Sequence, residues 1–297
     1  MNIFITGATG YIGGSLATRL VSKGHTVRGL VRTQEKAQLL SARGIEPVVG
    51  DLDNAELLKH AASHADAVIN AADSDHRGAI IALLDGLQDS GKPFIHTSGA
   101  GKMADDAAGA FCADVIYDEY TPYTPLQERV SRHALDVSIQ QSASRGIRAM
   151  VICPALIYGH GLGLARDSVQ LPMLLKYAKA HGTVGTVGNG KNVWSNVHLE
   201  DLLDLYELAL EKGPAGAFFF AENGEASFEE MGAAIARRFD LPGPATWDQE
   251  QATHELGSYL AVKSLGVNSR VRATRARAEL NWAPVHASVA QWISQEM

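Results

Sequence analysis

The chain has little cysteine: Cys112 and Cys153 alone among 297 residues. Two thiols so far apart supply neither a disulfide scaffold nor a zinc site. Long apolar runs are missing too, since none reaches the ~18 residues of a membrane-spanning helix, and no leader-like segment precedes the first strand pattern. The expected place is the cytoplasm. Positive charge is in deficit: 26 basic against 33 acidic residues leave a net charge of −7, which argues against nucleic acid or an anionic membrane as the main partner. No repeat, low-complexity tract or linker divides the sequence. With 46% hydrophobic and 20% charged residues, it reads as one large α/β unit, with room for a small appended lobe.

Glycine is present in quantity, and its placement at the start matters most. Asn2 to Thr6 read as a short buried strand. Gly7, Gly10 and Gly13 follow at three-residue spacing, and a helical pattern begins near Tyr11 (Ile12, Leu16, Leu20, Val21). A strand that breaks at glycine and re-enters as a helix leaves backbone N–H groups open at the helix N-terminus, a ready site for phosphate. Gly7 permits the turn, Gly10 lets backbone approach a pyrophosphate, and Gly13 lets helix and strand pack closely. Among 29 glycines a triplet arises by chance; its position between a strand and a helix is what gives it meaning. Gly7, Thr9, Gly10, Tyr11 and Ile12 are the expected dinucleotide contacts.

The spacing is GxxGxxG rather than the common GxGxxG. Thr6-Gly-Ala-Thr-Gly-Tyr-Ile-Gly13 resembles the extended and atypical short-chain dehydrogenase/reductases, the NAD-dependent epimerase/dehydratase-like family. The resemblance continues along most of the chain. Val27–Arg32 reads as a second strand, ending in Arg32 with Lys36 one helical turn on. An NAD-preferring fold would place a carboxylate there for the ribose 2′-hydroxyl, whereas a guanidinium pairs with a 2′-phosphate. The cofactor is therefore read as NADP (NADPH); the plain alternative is a solvated strand end. Pro47–Leu52 ends a third strand in Asp51 and Leu52, which by resemblance meet the adenine. The alternatives there are a turn started by Asp51 or a helix capped by Asp53. Ala67–Ala72 is a fourth strand, whose Ala71 and Ala72 let the cofactor lie close.

Phe94-Ile-His-Thr-Ser98 reads as a fifth strand ending in hydroxyls. Strands alternating with helices indicate a doubly wound parallel sheet (Rossmann), with ligands at the strands' C-terminal ends. By resemblance Ser98 hydrogen-bonds the substrate oxygen, with a one-residue offset open and a simple strand-end turn as the plain alternative. Arg148–Gly159 is a sixth strand running into Pro154-Ala-x-x-Tyr158-Gly, similar to the family segment that passes nicotinamide and substrate. Cys153 stands where arginine is usual and reads as a small buried hydrophobe. Leu126 to about Ser144 reads as a long helix and Asp167 to Ala180 as a helix of the substrate lobe, while Ser227 with Glu230 three residues on reads as a capping box. Val197-x-x-x-Asp201 and Arg275–Pro284 resemble the family's later segments, and His198 within the first reads as packing rather than catalytic. The expected boundaries are a dinucleotide-binding domain over 1–160, completed by about 191–221, and a substrate lobe over about 161–190 and 222–297. A homodimer is what the resemblance implies.

One departure stands out. Family members carry Tyr-x-x-x-Lys at the start of the helix after strand five, where lysine lowers the phenol's pKa for acid/base work. Here Glu128 and Arg132 fall on those positions. Arginine cannot readily release a proton, and the plain reading of the two is an i,i+4 surface ion pair. A Tyr259-x-x-x-Lys263 lies far along the chain and reads as coincidence. The candidate catalytic residues are Ser98, Arg132 and Tyr158, with Tyr117, Tyr120 and Tyr123 on an irregular loop as further proton donors. The expectation is an NADP-dependent oxidoreductase acting on a small carbonyl or alcohol. Its alternatives are a nucleotide-sugar epimerase/dehydratase and a non-catalytic NADP(H) sensor.

Overall fold

The computed structural model describes residues 1–257 and 261–297. Tyr259 of the distant Tyr-x-x-x-Lys, and the side chain of Lys263, lie outside the described residues. Short apolar runs bounded by turns form the strands β1 (Asn2–Thr6), β2 (Thr26–Val31), β3 (Glu46–Val49), β4 (Ala67–Asn70), β5 (Pro93–Thr97) and β6 (Arg148–Pro154). Between them run α1 (Tyr11–Ser22), α2 (Gln34–Ser41), α3 (Ala55–Ser63), α4 (Arg77–Gly86) and α5 (Val130–Gln141). Ile3, Phe4, Ile5, Val68, Ile69, Val151 and Ile152 are fully buried because helices cover both faces of the sheet. Each such side chain contributes roughly 1.5–3 kcal/mol of apolar burial.

Four more strands follow in the second half: β7 (Leu156–Tyr158), β8 (Gly185–Val187), β9 (Val193–His198) and β10 (Ala217–Ala221). The main sheet has seven strands in the order β10-β6-β5-β4-β1-β2-β3, all parallel. The chain winds outward from β1 in both directions. The order therefore reverses between β1 and β4, opening a crevice beyond their C-terminal ends where ligands bind in such sheets. The glycine turn after β1 sits there.

Helices α6 (Gln170–His181), α7 (Leu199–Lys212), α8 (Phe228–Arg238) and α9 (Gln249–Leu256) and strand β11 (Glu225–Ser227) follow. Strand β12 (Ala245–Trp247) pairs with β8, and helices α10 (Thr274–Leu280) and α11 (Val289–Gln295) lie near the C-terminus. Of the stretch 191–221, β10 joins the main sheet and α7 packs on it; β9 instead pairs with β7 and β11 in a separate three-stranded sheet. This smaller sheet, α6, α8 and α9 enclose a second core around Tyr158, Phe228 and Trp247. Ser227 and Glu230 cap α8 reciprocally, as their spacing indicates. No described helix is long and apolar enough to cross a membrane.

Three boundaries differ from the sequence reading. The helix expected over 126–144 is α5 flanked by two tighter turns, with Gly146 ending it at φ 66°. The lobe helix starts at Gln170 rather than Asp167. The run 148–159 is two strands, because the chain leaves the main sheet after Pro154, where Ala155 N–H still donates to Ala221 O at 3.0 Å.

Candidate active site

Two cavities lie along the crevice and meet at Ala71 and Ala72. The first, of about 430 Å³, is lined by Gly7, Thr9, Val31, Arg32, Lys36, Asp51, Leu52, Asp53, Ala72 and His76. The second, of about 360 Å³, is lined by Tyr11, Ile12, Ala71, Ser98, Arg129, Arg132, Pro154, Ile157 and Trp194, among others. Nearly every residue named for the cofactor faces one cavity or the other. Gly10 lies between them as the residue before α1, its N–H on Gly7 O at 2.8 Å.

The glycine turn has the shape that a dinucleotide needs. Gly7 has φ 75°, and a Cβ there would lie 2.4 Å from Ala71 O. Gly13 could not carry one either, since it would meet Gly7 O at 2.5 Å. These two glycines let α1 start hard against β4. Gly10, by contrast, has only Gly7 O near its missing Cβ, at 3.2 Å. No side chain caps α1, so its first N–H groups and dipole end face the crevice. The far wall is tied to this helix: Tyr11 O–H donates to Gly159 O at 2.7 Å and Leu162 N–H to Ser15 Oγ at 2.9 Å. These residues fit a dinucleotide pyrophosphate.

In the first cavity Arg32 directly follows β2, and Thr33 caps α2 by accepting from Lys36 N–H at 3.3 Å. The cap brings Lys36 round to the same side as Arg32. Asp51 Oδ1 accepts from the N–H groups of Asp53 and Asn54 at 3.0 and 3.1 Å, so Asp51 starts a turn as well as lining the cavity. The helix cap is Asn54, not Asp53.

The second cavity has a buried polar base. Parallel register puts Thr6, Asn70 and His96 side by side at the ends of β1, β4 and β5. Thr6 Oγ1 donates to Asn70 Oδ1 at 2.5 Å, which leaves Asn70 Nδ2 to donate to His96 Nδ1 at 3.0 Å. The His96 ring proton then sits on Nε2, 3.9 Å from Asp136 Oδ1. Burial holds the His96 pKa down at about 4, so the ring is neutral. The charge partner of Asp136 is Lys102, at 2.5 Å from Oδ2; Ser98 Oγ–H donates to the same oxygen at 2.8 Å. Asp136 and Lys102 are 1% and 2% exposed.

Arg132 pairs with Asp75 through Nε at 2.7 Å and through its second nitrogen. That bond holds the Asp75 carboxyl below the usual range. Tyr158 is placed apart from the cavities: its hydroxyl donates to His286 O at 2.9 Å and its ring packs on His198 and Trp292. His198 packs, as its sequence context indicates, and also caps α7. Tyr117 and Tyr123 stack edge to face, Tyr123 donates to Lys102 O, and Tyr120 points into solvent. None of the three lines a cavity described above. Burial pushes the Cys153 thiol up to about 12, which leaves it inert. Sequence reasoning missed Lys102 and Asp136. One signal was available, for Asp136 follows Arg132 at the i,i+4 spacing that shares a helix face.

Known proteins resemble this chain in sequence and in fold. The family model for the NAD dependent epimerase/dehydratase family matches residues 3–219. An uncharacterized protein of Schizosaccharomyces pombe is 31% identical over 304 residues, covering 97% of each chain. A Stigmatella aurantiaca protein, named a 4-hydroxy-2-methyl-3-oxo-4-farnesyl-3,4-dihydroquinoline-1-oxide ketoreductase, is 28% identical over 238 residues, 75% of this chain and 69% of its own. The crystal structure of a Bacillus anthracis dTDP-glucose 4,6-dehydratase in complex with NAD superposes with a TM-score of 0.77 at 17% identity, covering 99% of this chain and 94% of that one. At that identity it shows the shared fold. With the glycine turn at the strand-order reversal and a family match over more than two thirds of its length, the chain belongs to the NAD dependent epimerase/dehydratase family, whose members are nicotinamide-dependent enzymes.

Proposed function

We propose that the protein is an NADPH-dependent oxidoreductase that interconverts a small carbonyl compound and its alcohol in the cytoplasm. What supports this most is the pairing of two ends of one crevice: Arg32 with Lys36 at the adenosine end, Ser98 at the other. The N–H groups at the start of α1 bind the pyrophosphate, and Arg32 pairs with the 2′-phosphate. Asp51 and Leu52 hold the adenine, and Ala71, Ala72 and Pro154 leave room for the rest. The nicotinamide, when bound, supplies or removes a hydride at the substrate carbon. Ser98 holds the substrate oxygen, while Arg132 closes the cavity with Asp75. The Stigmatella relative's name, a ketoreductase, supports the carbonyl class.

Fluorescence titration with NADPH and NADH, followed by turnover on aldehydes, ketones, UDP-glucose and dTDP-glucose, tests this. The expected result is tight NADPH binding and oxidation of NADPH by a carbonyl. Conversion of a nucleotide sugar would move the protein to the epimerase reading, and binding without any turnover to the sensor reading.

A further inference from the structure

Resting on the oxidoreductase reading, we propose that the buried Asp136–Lys102 pair handles the proton behind Ser98, in place of a tyrosine–lysine dyad. Ser98 is the catalytic residue in this scheme, and Asp136 and Lys102 are positioning residues. The hydroxyl proton of Ser98 is committed to Asp136 Oδ2 at 2.8 Å. The hydroxyl oxygen is thereby left to accept from a group in the cavity that Ser98 lines, with the Cys153 thiol as its other neighbour. A hydroxyl so held accepts the proton of a bound alcohol while passing its own to the carboxylate.

The location of the pair argues for chemistry. Burying a carboxylate and an ammonium costs several kcal/mol per ion, and an apolar pair of similar volume often stabilises a fold as well or better. This pair is buried at the C-terminal end of β5, where α/β sheets place their ligands. Three other groups near the cavity are unsuited to moving a proton. Tyr11 gives its hydroxyl proton to Gly159 O, Arg132 keeps its protons, and the thiol of Cys153 is held protonated by burial. His96, fixed by Asn70, turns its Nε2–H toward Asp136 Oδ1 and marks the inner limit of the unit.

In the reducing direction the carbonyl carbon gains a hydride from the nicotinamide, and the C=O π pair moves onto oxygen. That oxygen takes the Ser98 proton. Ser98 recovers one from the pair, Lys102 giving a proton to Asp136 and Asp136 giving one to Ser98. Asp136 ends as a carboxylate and Lys102 as a neutral amine, which takes one proton from solvent before the next turnover. Oxidation runs the same transfers backwards.

The test uses the full chain with Ser98→Ala, Ser98→Thr, Asp136→Asn and the double variant Lys102→Met/Asp136→Leu, which removes both charges together. Expected are a kcat loss of about 10²–10⁴-fold for Ser98→Ala, recovery of most of it in Ser98→Thr, and losses of about 10–100-fold for Asp136→Asn and for the double variant. The NADPH dissociation constant should stay within about twofold of wild type in all four, and so should KM in Asp136→Asn and the double variant, which leave the Ser98 contact to substrate in place. A readout without cofactor accompanies these: a slowly exchanging serine hydroxyl proton in the NMR spectrum, lost in both Ser98→Ala and Asp136→Asn. A double variant that is folded and turns over at the wild-type rate overturns the proposal while leaving the oxidoreductase reading intact. Absence of the hydroxyl resonance from the wild type overturns it too. If the wild type reduces no carbonyl, the oxidoreductase reading falls and takes the proton role with it.

Discussion

The two ends of the crevice are built on opposite principles. At the adenosine end the recognition groups are backbone N–H groups and exposed charges carried on short local segments: Gly7 to Ile12, Arg32 with Lys36, Asp51 with Leu52. At the substrate end the polar groups are buried and come from four separate elements, Thr6, Asn70, His96 and Asp136, with Lys102 on a turn after β5. The first end depends on shape and solvent-screened charge. The second depends on desolvated pairs, where losing one partner is costly because the other is left buried.

Gly7→Ala should break the first end most severely. The new methyl would meet Ala71 O at 2.4 Å in a backbone with φ 75°. More than ~3 kcal/mol of stability should be lost, together with all nucleotide binding; a variant melting within a few degrees of wild type would refute the tight-turn account. Acid should expose the second end next. His96 is held neutral, with its pKa down at about 4, so the unfolded chain binds a proton between its ordinary value near 6.5 and about 4 while the native one does not. Stability therefore falls as pH drops through that window, by at most roughly 3 kcal/mol. Denaturant melts of wild type and His96→Gln from pH 7 to 4 check this, the variant's curve being flatter.

Arg32→Ala should weaken NADPH by about 10- to 100-fold and leave NADH nearly unchanged, as for loss of one charge-assisted bond; equal loss of both nucleotides would deny the 2′-phosphate contact. Tyr158→Phe should have the smallest effect. It removes the bond to His286 O for about 1 kcal/mol and should leave kcat within twofold, whereas a large kcat loss would restore Tyr158 as a proton donor.

The same contrast explains what is legible in the amino-acid sequence. A strand, a glycine triplet and a helix are neighbours in the chain, so local residues alone reveal the anion site at the end of β1. The alternation of strands and helices indicates the parallel sheet. Lys102 and Asp136 are not legible in this way, because a lysine on a turn and an aspartate on a polar helix read as solvated charges until β5 and α5 bring them together. Tyr158 shows a different limit. Side chains along β7 alternate between faces, so Ile157 lines the cavity while Tyr158 turns into the second core. Ser98 and Thr97 show the same alternation, Thr97 being taken up by Tyr206 at 2.6 Å.

The bonds from α1 to the segment after β7 also bear on how the protein comes into being. Tyr11 reaches Gly159 across 148 residues, and Ser15 receives Leu162 across 147. The glycine turn is therefore synthesised well before the wall that completes it, which emerges only after the intervening 148 residues. Contacts so distant in sequence form slowly, since loop closure must precede them. A nascent chain therefore carries an open phosphate loop with one side missing, and nucleotide affinity is acquired only once the segment after β7 has folded back onto α1.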